Sequence, residues 1–382
     1  MNETPFWLDG GRELIPVRPL DGPADVEIVG GGMTGCACAL ALAKGGLRVC
    51  LYEAREIASG ASGRNGGFAI RGTAAAYDVA RDTIGPERAA DVWRRTEAAL
   101  DRIEAVGGDA FRRTGSLRLA ADEEERDLLR REYEILRDDG FEAEWRDALP
   151  LPLAGRFPAA MFHPPDGSIH PARFVERLAR RAADAGVEIR EHRRVASLDD
   201  LEADHVVVAT DGYPSGLLGR LEGLIIPTRG QMIATEPIPE RLFDLPHYGR
   251  NGFDYWQQDT EGRILAGGFR DSSMDSEFTA DEETTPGIQQ ALEAFLDDLV
   301  GRPLTVTHRW AGIFGLVLDF LPVVGRLPED DRVWVAGGYS GHGNVLGFMC
   351  GDLVARAMLG DPHPLLGLFD PARLLAGGSA AQ

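Results

Sequence analysis

Residues 26–53 constrain the fold more than any other stretch. The apolar run Val26-Glu27-Ile28-Val29 leads into Gly30-Gly31-Gly32-Met33-Thr34-Gly35, then a helix of small residues, Cys36–Lys44, then a second run ending Leu51-Tyr52-Glu53. The order is strand, glycine turn, helix, strand, acid. It predicts a βαβ unit whose first turn takes the ADP half of a dinucleotide. Gly30 permits the tight turn, Gly32 lets backbone approach a pyrophosphate, and Gly35 lets the helix pack on the strand. Met33 and Thr34 lie in the first helical turn, where exposed N–H groups and the helix dipole favour an anion. Glu53, 18 residues beyond Gly35, is placed to accept from ribose hydroxyls. Its charge would repel a 2′-phosphate, so NADP is disfavoured.

A chain of 382 residues can bury a large core and is expected to form two domains. Its formal charge of −21 argues against nucleic acid and anionic membranes as partners, because both call for a basic surface. Lys44 is the one lysine among 40 basic residues. It ends the first helix, where it should be solvated, so Schiff-base chemistry is nearly excluded. Cys36, Cys38, Cys50 and Cys350 show no zinc spacing and no C-x-x-C, so no metal site is expected and the four read as small buried hydrophobes. Reduced thiols fit a cytoplasmic enzyme. Glu3 and Asp9 break up an N-terminus that does not read as a signal peptide, and no apolar run is long enough to span a membrane.

Residues 1–24, with four prolines, read as extended, and Trp7 as a packing anchor. The loop Ser59-Gly60-Ala61-Ser62-Gly63-Arg64-Asn65-Gly66-Gly67 permits close backbone approach to a ligand. Amphipathic helices follow at 86–106 and at 123–139, the second burying Leu128, Leu129, Tyr133 and Leu136. The acidic run 122–125 reads as a solvated face at a helix start. The βαβ pattern returns with a helix from Pro171 to Ala185, a strand at 187–190 and a buried strand running from Asp204 into Ala209-Thr210-Asp211-Gly212. Residues 229–270 read as antiparallel strands, and a helix follows near 286–299. The strand at 333–336 leads through Gly337-Gly338-Tyr339-Ser340-Gly341-His342-Gly343-Asn344 into a last helix. The expected fold class is α/β: a Rossmann-type domain assembled from 1–75, 150–225 and 305–382, with a smaller antiparallel-sheet domain from 76–149 and 226–304.

Four stretches together carry a family resemblance: 30–35 with Glu53, 59–67, 206–212, and Asp319-Phe320-Leu321-Pro322-Val323-Val324-Gly325 with 337–344. Over nearly its whole length the chain resembles the FAD-dependent D-amino-acid oxidase superfamily, and within it the glycine oxidase, sarcosine oxidase and γ-glutamylputrescine oxidoreductase group. The resemblance implies a glutathione-reductase-type FAD domain and a flavin ring at the junction of the two domains; the FAD is expected to be non-covalent, since the only cysteine near the last motif, Cys350, falls inside a helix. It implies oxidation of a C–N bond by hydride transfer to flavin N5, giving an imine that hydrolyses.

The resemblance also distributes roles. Gly30, Gly32, Met33, Thr34, Gly35, Glu53, Ala54 and Arg55 would hold the ADP, with the backbone at Val195 against adenine and Thr210 and Gly212 beside them. Ser62, Gly63, Arg64, Asn65, Gly66 and Gly67 would run under the ribityl chain and ring, Arg64 being either a flavin contact or a structural ion pair. Gly338, Gly341, His342, Gly343 and Asn344 would point a helix start at the flavin pyrimidine. His342 either touches the flavin or is a packed histidine. Tyr255 and Arg270, with His342, are the candidate catalytic residues. Trp256, Phe314 and Tyr339 would line an aromatic substrate pocket, although strand alternation forbids Tyr255 and Trp256 from both facing the ring.

Two departures bear on chemistry. Phe314 stands where amino-acid oxidases of this group carry an arginine that grips the substrate carboxylate, which favours an amine. Arg270 is a possible replacement clamp. The strand 263–268 lacks the lysine that sarcosine oxidases use with oxygen, so the acceptor is oxygen or another compound. The expected substrate is a small amine. The alternatives are a glycine or D-amino-acid oxidase, a hydroxy-acid dehydrogenase, and a flavin-binding protein without catalysis.

Overall fold

The computed structural model describes residues 2–376, which divide into two compact units. One holds 11–63, 171–228 and 313–376, the other 2–10, 64–170 and 229–312. These boundaries differ from the expected ones. Residues 64–75 and 150–170 join the antiparallel unit because Phe68–Ala69 and Phe111–Arg112 both pair with Gly167–Ile169 in a three-stranded sheet. Strands this short carry no readable alternation.

The first unit is built on a six-stranded sheet ordered Val323–Leu327, Asp330–Gly337, His205–Val208, Val26–Val29, Val49–Tyr52, Glu188–Arg190. All neighbours are parallel except the first pair, 323–327 with 330–337. The strands 26–29 and 49–52 are buried throughout, as expected of a sheet covered on both faces. The helix Met33–Lys44 packs between Pro171–Asp184 and Gly343–Met358. Its crossing with 343–358 depends on glycine. A Cβ on Gly351 would sit 2.5 Å from Thr34 O, and one on Gly347 2.9 Å from Thr34 Oγ1.

The second unit centres on an eight-stranded sheet ordered Val306–Leu316, Ile226–Thr235, Ile264–Gly268, Asp254–Gln258, His247–Gly249, Ser116–Leu119, Ala160–His163, Glu144–Arg146. Its register separates two faces. Ile233, Ala266, Trp256, His247, Leu117 and Phe162 are opposite one another across consecutive strands. They face Ile288, Leu292, Leu296 and Leu299 of the helix Pro286–Val300. Burying four such side chains contributes roughly 6–12 kcal/mol, far more than the sheet's exposed ion pairs. The other face carries Met232, Gly267, Tyr255, Tyr248, Arg118, Met161 and Trp145.

The helix Glu123–Asp138 departs from the expected pattern in two ways. Leu129 and Leu136 are buried, but Leu128 is 52% exposed and Glu132 takes a place on the inner face. Glu132 bonds the Tyr77 N–H at 2.9 Å and pairs with Arg118. Of the acidic run, Asp122, Glu123 and Glu124 are exposed as expected, whereas Glu125 is buried. Asp122 accepts the Glu125 N–H at 2.8 Å, and buried Glu125 accepts from Ala121 and Asn251. Together they satisfy backbone donors at the helix start.

Asp166 accepts the Arg71 N–H at 3.0 Å and the Ser116 hydroxyl at 2.6 Å, and burial pushes its pKa up to about 6. A carboxyl raised above its unfolded value of about 3.9 binds its proton more tightly in the native state. Its contribution is full below that value and is lost as pH rises through about 6. Denaturant unfolding of the wild type and Asp166→Asn at pH 4, 5 and 7 should show the wild type losing stability relative to the variant as pH rises. A constant difference would place the titration elsewhere.

Candidate functional site

In the parallel-sheet unit, Gly30 ends the strand 26–29 at φ +114°. Here the sheet order reverses, with 49–52 on one side and 205–208 on the other. Open α/β sheets bind ligands at this crevice. A Cβ on Gly30 would lie 2.5 Å from Ala209 O, one on Gly32 2.9 Å from Ser62 Oγ, and one on Gly35 1.9 Å from Gly30 O. Gly32 is thus also crowded by Ser62, a partner the spacing does not name. Ser62 Oγ accepts the Met33 N–H at 2.9 Å and caps a helix that has no side-chain cap of its own on Gly32. The N–H groups of Thr34 and Gly35 have no intrahelical acceptor and are oriented for an anion.

Glu53 is held by its own backbone surroundings. Its carboxylate accepts from Gly31 N and Arg55 N, both at 2.8 Å. Its carbonyl accepts from Arg193 N at 2.8 Å, and Arg55 O accepts from His192 N at 2.8 Å. The Arg55 guanidinium lies 5.4 Å from the Tyr213 ring centre, and Ala54 is exposed. The Val195 side chain packs into the core with Val29 and Tyr52, so any ligand contact at this residue falls to its backbone.

Asp211 is the residue that sequence reasoning missed. It sits at φ +49° between Thr210 and Gly212. Its Oδ2 accepts from Gly315 N at 2.9 Å and its Oδ1 from Gly338 N at 2.8 Å. Burial pushes its pKa up, and backbone donors on Gly315, Gly338, Gly212 and Tyr339 pull against that. The clamp closes three chain segments at backbone distance. A Cβ on Gly212 would meet the carbonyl carbon of Phe314 at 2.4 Å, and one on Gly315 would meet Asp211 Oδ1 at 2.8 Å. The one available signal was an acid between Thr and Gly at the end of a buried strand.

The clamp leads into the late glycine turn. Gly338 and Gly341 adopt φ of +73° and +95°. His342 stands at the N-cap of 343–358 and its side chain caps no backbone N–H there. Asn344 is buried in the first turn. Tyr339, expected in an aromatic pocket, packs against the first helix. It is buried, and its hydroxyl shares a 2.8 Å hydrogen bond with Thr34 Oγ1. It braces the late turn against the first turn of 33–44.

In the antiparallel unit, Arg64 is an ion-paired residue. It bonds Ala311 O at 3.1 Å and pairs with Glu282 at 3.1 Å, while its own carbonyl accepts from Trp310 Nε1 at 2.8 Å. Asn65 Oδ1 accepts the Gly67 N–H at 2.9 Å, and buried Trp7 donates to Asn65 O at 2.7 Å. Gly67, at φ +75°, leaves a Cβ no room beside Gln257, Ile169 and Trp7. A Cβ on Gly66 would touch the Tyr255 ring at 3.2 Å.

The register separates Tyr255 from Trp256. Trp256 is 1% exposed in the apolar core, stacked on His247, and is not a pocket residue. Tyr255 is on the opposite face, and burial pushes its pKa up to about 12. Arg270 is not on the strand, which ends at Gly268; it opens a short 3-10 turn after Phe269, itself at φ +59°. Its guanidinium lies 4.6 Å from the Phe253 ring centre. Burial lowers its pKa, opposed by Tyr255. Phe314, in the other unit, is half-buried with its backbone against Gly212.

These residues fit a dinucleotide. The glycine turn, the Thr34 and Gly35 N–H groups at the helix start and the fixed carboxylate are joined by Thr210 Oγ1, a buried hydroxyl with no hydrogen-bond partner among the described residues. The four cysteines are buried, and burial raises each thiol pKa, so none is a ready nucleophile. Among the described residues, no helix is long and apolar enough to cross a membrane, and no acidic, His or Cys group is arranged for a metal.

A parallel sheet with a dinucleotide turn, joined to an antiparallel sheet, is an architecture that flavin-dependent oxidoreductases share. The chain belongs to the FAD dependent oxidoreductase (DAO) family, whose profile matches residues 25–357, and its cofactor is FAD. It is 27% identical to the probable oxidoreductase OrdL of Haemophilus influenzae, over 94% of this chain and 89% of that one. It is 28% identical to the gamma-glutamylputrescine oxidoreductase of Escherichia coli, over 87% of this chain and 84% of that one. The crystal structure of glycine oxidase from Geobacillus kaustophilus superposes with a TM-score of 0.75 at 25% identity, covering 92% of this chain and 99% of that one.

Asp211→Asn should test the clamp. The amide keeps one acceptor and turns an NH2 toward backbone donors. We expect a loss of about 2–4 kcal/mol in denaturant unfolding and faster release of FAD. Stability within about 0.5 kcal/mol of the wild type would make the clamp dispensable.

Proposed function

We propose that the protein oxidises the C–N bond of a primary or secondary amine, using non-covalently bound FAD. When bound, FAD supplies the hydride acceptor, and water hydrolyses the resulting substrate imine. The observation that carries the amine reading is the strand 306–316. Its arginine, Arg309, is engaged by Glu293 and by Gln289 at 3.0 Å, and Phe314 stands where a carboxylate clamp is expected. A guanidinium grips a carboxylate through two parallel bonds, and a phenyl ring cannot. The likeness to gamma-glutamylputrescine oxidoreductase supports the same class of substrate.

In this reading Gly30, Gly32, Met33, Thr34, Gly35, Glu53 and Thr210 hold the ADP half, with the backbone at Val195 beside it. Gly338, Gly341, His342, Gly343 and Asn344 present a positive helix end to the flavin pyrimidine, where reduction adds negative charge. Tyr255 stays neutral at physiological pH and donates a hydrogen bond. Arg270 is a partly desolvated cation beside it. A nearby like charge disfavours an ammonium, so Arg270 favours the neutral amine, the form that can give up hydride. The electron acceptor is oxygen or another compound. A glycine or D-amino-acid oxidase is the second reading, favoured by Arg270 as a guanidinium near Tyr255 and by the likeness to glycine oxidase.

Anaerobic titration with amines, amino acids and hydroxy acids, following flavin absorbance, tests the proposal. Amines should bleach the flavin. Turnover of glycine or D-alanine far above the amines would overturn the amine reading, and bleaching by no compound would favour a non-catalytic flavoprotein. Arg270→Met should move the acid-side limb of kcat, set by deprotonation of the bound amine, upward by about one pH unit. An unmoved limb would remove Arg270 from this role. Acid precipitation should leave the flavin in solution; flavin in the pellet would indicate a covalent bond.

A further inference from the structure

The N-terminal stretch 11–24 lies along the parallel-sheet unit as a strap. It follows one stripe of the helix 171–184. Glu176 meets the Glu13 N–H at 3.3 Å, Arg180 pairs with Glu13 at 3.3 Å, and Asp184 pairs with Arg18 at 2.8 Å. These helix positions are four residues apart, one turn each, so an extended chain can engage them in succession. Beyond the helix, the Leu20 N–H reaches Glu188 at 3.0 Å. Leu14 and Val17 remain 92% and 76% exposed while Ile15 and Pro16 are half-buried, so polar contacts carry much of the middle of the strap.

Arg12 opens the strap and touches three carboxylates. It contacts Glu56 at 3.1 Å, Glu176 at 3.9 Å, and Glu191. Glu191 Oε1 in turn accepts the Ile57 N–H at 2.7 Å. Through Glu56 and Glu191, then, Arg12 fixes both the side chain and the backbone of the segment 53–57. The same segment bonds 192–193 through Glu53 O and Arg55 O, and it carries Glu53 against Gly31. Without Arg12, Glu56, Glu176 and Glu191 would repel one another beneath that segment.

We propose that Arg12 is a positioning residue for the nucleotide site, holding 53–57 so that Glu53 meets the ADP ribose. This rests on the reading of Glu53 given above. The strap is a fastening for cofactor affinity that lies outside the glycine motif.

The test is FAD release from diluted holoenzyme, followed by flavin fluorescence. Arg12→Ala should raise the FAD Kd about ten-fold at low ionic strength, and the gap to the wild type should narrow in high salt, because screening weakens both the ion pairs and the repulsion they mask. Arg12→Lys should recover part of the affinity, and carries the same test if the alanine variant does not fold. Arg18→Ala, at the far end of the strap, should leave the Kd unchanged. An unchanged Kd in Arg12→Ala, a salt-independent loss, or a lower Tm with intact affinity would overturn the proposal. Glu53→Gln separates the two levels. If it leaves the Kd unchanged, the reading of the ADP site fails. If it weakens FAD and Arg12→Ala does not, the role of Arg12 alone fails.

Discussion

The carboxylate of Asp211 is the interaction on which the parallel-sheet unit depends. It gathers N–H groups from the end of 306–316 and from the late glycine turn, and it does so from a left-handed backbone position at the end of the strand 205–208. Those segments are distant in sequence and approach so closely that Gly212, Gly315 and Gly337 have little or no room for a side chain. A charged acceptor suits such a crossing, since one small group satisfies several buried donors at once. Its raised pKa records the cost of burial that those bonds offset only in part.

Much of this was legible because it is local. The turn Gly30–Gly35 announces itself by spacing alone, and the parallel strands 26–29 and 205–208 by continuous apolar runs. The late turn 337–344 reads the same way. What the sequence hides is set by partners far along the chain. Ser62 as the cap of 33–44, Asp211 as a clamp, and Glu132 on the inner face of its helix each depend on a contact made by tertiary folding. Alternation shows that Tyr255 and Trp256 point opposite ways. Only the pairing with 247–249 and 264–268 shows which one enters the core. The domain boundaries moved for the same reason, through two-residue strands that no periodicity can reveal.

Arginine carries nearly all the positive charge of this acidic chain, and the structure spends it on directed contacts. Arg229 and Glu277 pair in the interior with 7% and 0% side-chain exposure, joined by Gln231. Arg64 binds both a carbonyl and Glu282. A planar fork with several donors can serve a backbone acceptor and a carboxylate together, which a lysine ammonium does less well. A net charge of −21 is compatible with a compact structure when so many carboxylates have assigned partners.

The close crossing of 33–44 and 343–358 has a further consequence. With backbone resting against Gly351 and Tyr339 bolted to Thr34, the two helix starts cannot slide independently. On the proposed placement one start addresses the pyrophosphate and the other the pyrimidine. The pair then works as a gauge of fixed span, and a flavin mononucleotide, which keeps the ring and one phosphate but lacks the adenylyl half, would span both jaws and leave the site beside Glu53 empty.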